Sequence, residues 1–508
     1  MKSHAWDFRT TALLIASYLA LQFGSGDAHA VDYHVLNPTE LVLAINAANS
    51  STTPSVIFLF PREYRLPNTF DTAFGPSALP PIRSNITLVG RDAPTTILLP
   101  VAPSAHHRII TVVPGGRLTV RKVTLTGGDT DSLVAFPGNG GAAAGNFGGF
   151  LRFQDCVITG NDALSEQTGE EGGGILSFNG RLEVFRTTIS DNITSGDGGG
   201  IALLGGSGVI RDSIISGNEA EGLGTTRGGG IIVSGTLGIY GSTIVGNAGF
   251  SDFDDAIAEG GGIYISAGTV VMADSAVVGN TTSSPEFGAG SGGGIYNAGT
   301  LSIKNGTVGG NSAGTSGGGI YNRGVLRLQG VTVVDNEAKG DTLPLPFFDN
   351  VYPRGCDVDN APELCITGGG GVWNQPSARM TIMGTVIANN RIEVLAQMLA
   401  PDCGGTFTSQ GHNAVSTDVD CVLKPVVKGA NTHDLIDVDP RLAALADDGT
   451  AGNAHYPLRA GSPLIDAGDV VGPRCTFADQ LGQRRLDGDH EGNVLCDIGA
   501  IEFNPTSQ

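Results

Sequence analysis

The 508 residues carry 50 acidic against 29 basic side chains, a formal net charge of −21, and 78 of them are glycine. A hydrophobic share of 40% with only 16% charged residues is too apolar for a disordered chain, and the glycines keep no period of three, which excludes collagen. So acidic a surface repels phosphate backbones, which excludes nucleic acid as a partner; calcium, or polymers bridged by calcium, suits the sign.

The N-terminus reads as an address. Lys2 and Arg9 precede an apolar run, Thr11 to Leu21, and Ala28-His29-Ala30 closes it. This pattern predicts a secretory signal over residues 1–30, cleaved after Ala30. The run is too short to span a bilayer, and no later segment is long enough. With no cysteine at the cleavage site and no apolar tail over Phe503 to Gln508, the mature protein is expected to be released or held non-covalently. Residues 31–110 read as an N-terminal cap and first coils. Within them Pro38 to Asn49 (PTELVLAINAAN) predicts a short amphipathic helix with Thr39 as its N-cap.

Residues 111–395 repeat. Gly-Gly-Gly-Ile recurs at Gly172, Gly198, Gly228, Gly260, Gly292 and Gly317, with Gly369-Gly370-Gly371-Val372 as a seventh copy. Asparagine ends another element at Asn161, Asn192, Asn218, Asn247, Asn280, Asn311, Asn336 and Asn390. A repeat near thirty residues means a solenoid or an array. Apolar residues alternate within segments such as Leu301 to Asn311 and Leu326 to Asn336, a period-two strand signal. Each repeat therefore predicts three short strands, and the stack predicts an all-β, single-stranded right-handed parallel β-helix. Like residues then stack on like about 4.8 Å apart. The asparagines should form an internal amide ladder, and the glycine triplets should let coils approach closely. Loops of variable length leave between the asparagine and the next triplet, the longest over 337–367. Such insertions gather on one face of a solenoid, often the binding face.

Seven cysteines fit an oxidising compartment. Sequence neighbours pair as Cys356 with Cys365, Cys403 with Cys421, and Cys475 with Cys496, one of fifteen possible connectivities. Cys156 is left over, in a column with Thr187, Ser213, Ser242, Ser275 and Thr385, and reads as a small buried filler. Residues 396–508 leave the repeat as C-terminal coils and a disulfide-stapled cap over the other end.

The sharpest motifs lie in that last region. They are Pro401-Asp402-Cys403-Gly404-Gly405-Thr406 with Gly411-His412-Asn413, Ser462-Pro463-Leu464-Ile465-Asp466-Ala467-Gly468, Asp479-Gln480-Leu481-Gly482-Gln483-Arg484-Arg485, and Cys496-Asp497-Ile498-Gly499-Ala500-Ile501-Glu502. With them, residues 31–503 resemble secreted right-handed β-helix proteins whose C-terminal module is called choice-of-anchor Q. The Gly-Gly-Gly-Ile-Tyr-Asn repeats resemble those of polymorphic outer-membrane proteins, which include adhesins. The fold so implied is similar to that of pectate lyases. The resemblance implies fold and compartment rather than a reaction. Its family usually carries a sorting anchor after this module, and with none in this sequence attachment to a surface is not expected from the resemblance alone.

Four places could carry function. Asp487-Gly488-Asp489-His490-Glu491-Gly492-Asn493 spaces oxygens as the first half of a calcium loop does, with Asp497 to complete the shell; an acidic turn pinned by Cys475 and Cys496 is the plainer reading. One residue past each Gly-Gly-Gly-Ile core runs a column ending Tyr264, Tyr296, Tyr321, Trp373. Strand alternation points it outward, stacked near the length of a sugar unit, as a surface for glycan rings or simply as cross-strand packing. An acidic loop edge (Asp162, Glu166, Glu170, Glu171, Asp197, Glu219, Glu221, Asp252, Asp254, Asp255, Glu259 and Glu286, opposed by Arg227) reads first as a solvated face. Arg121, Asp155, Arg186, Arg211 and Asp212 fall at matching turns of successive coils, the charge mixture that β-elimination of a uronic acid would need; surface ion pairing competes with it. Asp479 and Arg485 are expected to lock the cap as an ion pair. The expected work is that of a secreted monomer presenting an elongated surface to an extracellular polysaccharide or cell-surface glycan, adhesin-like and without catalysis. A polysaccharide lyase or other degrading enzyme, and a purely structural surface protein, are the alternatives.

Overall fold

A repeat of alternating aliphatic residues buries its apolar side chains by coiling, and one coil shows how. Ile175–Phe178 (β1), Arg181–Phe185 (β2), Thr188–Ser190 (β3) and Ile193–Thr194 (β4) follow one another around a single turn of a right-handed parallel β-helix. The computed structural model describes residues 30–101, 106–130, 140–165, 169–251, 257–283, 290–339, 369–394, 397–399, 401–417, 421–469, 475, 478–485 and 495–504. The expected signal over 1–30, most of the loop 337–367 and the pair Cys356 and Cys365 lie outside them.

Each strand pairs in parallel with its equivalents in the coils before and after. β2 joins Phe150–Gln154 to Ser207–Arg211, and β1 joins Ala144–Phe147 to Ile201–Leu204. The registers stack Ile175, Ile201, Ile231, Ile263, Ile295, Ile320 and Val372 in one internal column. Leu301, Ile303 and Val308 of one coil meet Leu326, Leu328 and Val333 of the next. All are buried in one continuous core. β4 is a fourth strand, which the three-strand expectation lacked; it belongs to a separate nine-stranded sheet. In three coils the second and third strands also run on as one, over Thr269–Val278, Thr300–Gly309 and Val325–Val334.

The amide ladder is present. Asn161 Nδ2 donates to Asn192 Oδ1 at 2.8 Å, and Asn192, Asn218, Asn247, Asn280, Asn311 and Asn336 each donate onward at 2.9–3.0 Å. Each amide oxygen also accepts the previous asparagine's backbone N–H, as from Asn218 to Asn247 at 3.0 Å. The ladder ends on a carboxylate: Asp402 accepts from Asn390 N and Nδ2, from the Ser416 hydroxyl and from Thr417 N. A second buried ladder runs Asn297 to Asn322 to Asn374. A third is made of hydroxyls. The backbone N–H of Cys156 donates to Thr187 Oγ1, and those of Thr187, Ser213 and Ser242 donate to the hydroxyls of Ser213, Ser242 and Ser275. Cys156 is buried at its start, free of any disulfide, and burial raises its thiol to about 11.

The triplets answer to two constraints. The first glycine lies in the left-handed region, with φ of +74° at Gly172 and +70° at Gly260. A Cβ on the second would meet the next coil's backbone, 2.4 Å from Gly199 O at Gly173 and 2.5 Å from Gly293 O at Gly261.

The ends differ. Pro38–Asn49 (α1) is helical as expected and buries Leu41, Ala44, Ile45 and Ala48 against the first coils. Its cap is Asn37, not Thr39. Asn37 Oδ1 accepts from Glu40 N at 3.0 Å, and the Glu40 carboxylate reaches back to Leu36 N and Asn37 Nδ2, a capping box that needs the acid three residues on. At the other end two more rungs, Cys403–Ser409 and Cys421–Pro425, extend the sheet, with Cys403 bonded to Cys421 and Cys475 to Cys496. The chain then turns back. Rather than only closing the end, a C-terminal strap packs along the outside of the third strands. Ala500 N donates to Thr332 Oγ1, Tyr456 lies over Gly309, Ala454 packs on Ala276 and Val278, and Gly452 N donates to Thr243 Oγ1 at 2.8 Å. The expected Asp479–Arg485 lock is replaced: buried Arg485 pairs with Glu502 at 2.8 Å, while Asp479 accepts the backbone N–H groups of Leu481, Gln483 and Glu502. No helix among the described residues is long and apolar enough to cross a membrane.

Candidate functional site

The column two residues past the triplets points out of the coil, as alternation requires. In register it runs Leu176, Ala202, Ile232, Tyr264, Tyr296, Tyr321, Trp373. The tyrosine rings are stacked on one another, Tyr264 to Tyr296 at 5.1 Å and Tyr296 to Tyr321 at 4.9 Å, with interplanar angles of 23° and 13°. Their faces are therefore spent on each other. Tyr264 is 9% and Tyr296 3% exposed, within a second apolar cluster outside the coil; Tyr321 and Trp373 are half-buried. What the ladder turns outward is hydroxyl edges and, at its C-terminal end, part of two rings. The sequence placed these residues together but not their ring-on-ring geometry, because spacing alone does not set χ1.

A second column flanks the first. Glu171, Asp197, Arg227, Glu259 and Ser291 stand immediately before the triplets of successive coils, and their carbonyls accept from the first glycine of the coil before, as Gly198 N does to Arg227 O at 2.8 Å. Arg227 bridges its neighbours, Nε to Glu259 at 3.2 Å and Nη1 to Asp197 at 3.5 Å, and its guanidinium lies 5.5 Å from the Tyr264 ring centre. Arg323 donates to the Tyr296 hydroxyl at 3.0 Å, and Gln375 to that of Tyr321. Burial, with the Glu259 charge beside it, raises Tyr296. Burial and the neighbouring Asp197 push Glu171 up to about 7, and burial pushes Asp197 to about 6, with Arg227 holding it down in part. The acidic edge is thus not simply a solvated face: Glu170 is fully buried, with the Thr130 hydroxyl on its carboxylate, and a charged ladder leads up to the aromatic one, meeting it at Glu259 and Tyr264. Glu166, Asp252, Asp254, Asp255 and Glu286 lie outside the described residues.

The charge mixture on the turns has a backbone cause. Lys122, Asp155, Arg186, Asp212, Asp274 and Asn305 all have φ between 44° and 57°, the left-handed bend between second and third strands, which asparagine and aspartate tolerate best among non-glycines. Arg186 pairs with Asp155 at 2.7 Å, and that hydrogen bond holds the Asp155 carboxyl below its ordinary range. Burial alone would raise Glu183, but Arg152 and Arg181 both bond it and hold it down. Arg211 lies 4.9 Å over the Tyr240 ring, and Arg121 is exposed. Arg186, Arg152 and Arg181, at the centre of the patch, are thus held by carboxylates.

Of the calcium set, Asp487, Asp489, Glu491 and Asn493 lie outside the described residues. Asp497 spends its two oxygens on Asp466 N at 2.7 Å and Phe503 N at 2.5 Å, and burial with the Glu502 charge pushes it up to about 7. A carboxyl so engaged fits a cap's hydrogen-bond network better than a cation's shell. Among the described residues no group of three or more His, Cys, Asp or Glu is placed to hold an ion.

No family model matches the chain, and no curated protein matches it in sequence. Among solved structures it is similar to the pectate lyase Pel9A at 14% identity and a TM-score of 0.40, over 94% of this chain and 97% of that one. The catalytic domain of a GH87 alpha-1,3-glucanase aligns at 12% and 0.35, over 82% and 69%. The A-module of the Azotobacter vinelandii mannuronan C-5 epimerase AlgE6 aligns at 13% and 0.31, over 78% and 93%. At these values no residue is carried across from any of them.

Proposed function

We propose that this chain is a secreted, non-catalytic β-helix of the choice-of-anchor Q type that binds an extracellular polysaccharide along the face where the charged ladder runs into the tyrosine ladder. One observation carries the reading: aromatic edges repeat at coil spacing from Tyr264 to Trp373, with the Arg227 guanidinium and the Glu259 carboxylate at the Tyr264 end and Arg323 on the Tyr296 hydroxyl. The ring surface left at Tyr321 and Trp373 supplies the apolar contact, and Arg323 and Gln375 supply donors to sugar hydroxyls. Pull-down on insoluble polysaccharides tests it. Trp373→Ala is expected to lower retention about tenfold, the loss of roughly 1.4 kcal/mol, without changing the circular dichroism; unchanged retention contradicts the reading. Calcium, as a structural ion, is assigned to Asp487, Asp489, Glu491 and Asn493; a thermal midpoint indifferent to added calcium and chelator refutes that.

A second reading, a polysaccharide-degrading enzyme, draws on Glu171 and Asp197, two neighbouring carboxyls held near neutral and so able to donate a proton. It predicts new reducing ends that vanish in Glu171→Gln. The lyase form of that reading is weakened by Arg186, Arg152 and Arg181, which the local carboxylates hold.

A further inference from the structure

The strap that folds back along the coils leaves a groove between itself and the left-handed turns, with a volume of about 810 Å³. Its floor is one column of side chains in register on four successive coils, Arg211, Tyr240, Ala273 and Lys304. From Arg211 to Lys304 is three rungs, roughly 14 Å, about the length of three sugar units. Ala273 is the smallest of the four and leaves a gap between Tyr240 and Lys304. The next residue on each coil is in the left-handed bend, and this sets Asp212 and Asp274 along one rim. The strap forms the other wall and is fixed in place. Asn305 Nδ2 donates to Ala478 O at 3.1 Å, the Thr307 hydroxyl to Gln480 Oε1 at 2.7 Å, and Gln480 Nε2 to the carbonyls of Gly452 and Ala454. A wall held by buried bonds does not have to be ordered on binding.

We propose that this groove is a second glycan site, for a neutral, hydroxyl-rich strand lying parallel to the solenoid axis. The charges choose the ligand. Cations stand at both ends of the floor, but Asp212 and Asp274 face the same space, and the whole chain is at −21. Mixed donors and acceptors beside a tyrosine suit hydroxyl groups, and a polyuronate would meet two carboxylates. None of these residues belongs to the tyrosine face, so the site stands whether or not that face binds.

Calorimetric titration of the full chain tests it, with cellohexaose, xylohexaose, mannohexaose and hexagalacturonate as probes. The host is the Trp373→Ala variant, in which the tyrosine face is weakened. At least one neutral hexasaccharide is expected to bind this host. Ala273→Trp, which fills the gap from the outside, and Tyr240→Ala are each expected to lower that affinity at least tenfold, and Lys304→Gln to lower it severalfold. Binding of no neutral probe, equal binding after both Ala273→Trp and Tyr240→Ala, or tighter binding of hexagalacturonate would overturn the proposal. Loss of binding in Trp373→Ala relative to the natural chain, with the remainder insensitive to Tyr240→Ala, would support the tyrosine face and refute the groove.

Discussion

Glu171 and Asp197 owe their raised carboxyls, about 7 and about 6, first to burial on the charged ladder. Both folded values lie above the ordinary values near 4. The stability each lends is therefore full below about pH 4 and is lost as the pH rises through its folded value. Glu171→Gln removes one of these titrations, so the fall in thermal midpoint between pH 5 and pH 8 is expected to shrink in that variant; an equal fall would mean the carboxyl is solvated. Asn247 shows the opposite economy. It donates to Ile215 O, Val245 O and Asn280 Oδ1 and accepts from Asn218, so Asn247→Leu strands several buried groups. The expected cost is roughly 3 kcal/mol or more, read by chemical denaturation.

At the scale of elements, the strap is the piece that sequence reasoning missed. Ala454 is fully buried against Ala276 and Val278. Ala454→Glu is expected to detach the strap, opening residues near 450–456 to protease while the solenoid keeps its β-sheet spectrum; a protease-resistant variant would contradict the packing. A signal for the strap did exist. The outer positions of the third strand read Val157 and Thr159, Thr188 and Ser190, Ile214 and Ser216 in early coils, all half-buried. From Thr243 they become Ala276 and Val278, Thr307 and Gly309, Thr332 and Val334, Val386 and Ala388, all buried. The coils themselves were legible because stacking repeats the same physical demand every rung: Asn161 to Asn390 had to be a ladder, and triplets had to be glycine. The pairs Cys403–Cys421 and Cys475–Cys496 were legible as neighbours. The strap makes contacts more than 150 residues distant, such as Thr243 with Gly452, and occurs once, so no period announces it. The groove could not be read for the same reason, since half its wall is strap. The stacking of Tyr264 on Tyr296 was beyond the sequence because it depends on rotamers and on Arg227 and Arg323 closing around the rings.

For the whole molecule, one sign of charge dominates. Carboxyls are raised along its length, at buried Asp402 and Asp479 and at the more exposed Asp274 and Asp335 as well as the ladder pair, and a net charge of −21 adds self-repulsion as they ionise. The thermal midpoint of the natural chain is therefore expected to fall from pH 5 to pH 8 and to fall less in high salt, which screens the repulsion. The proposed work of this acidic solenoid, binding sugar hydroxyls without cleaving the polymer, is what a single experiment can decide. The most direct measurement follows one purified mature sample, with and without calcium, on a panel of neutral and acidic polysaccharides, recording retention, new reducing ends and absorbance near 235 nm together. Retention of a polymer with no new ends and no absorbance rise is the predicted result. Cleavage of any polymer, or retention of none, would contradict it.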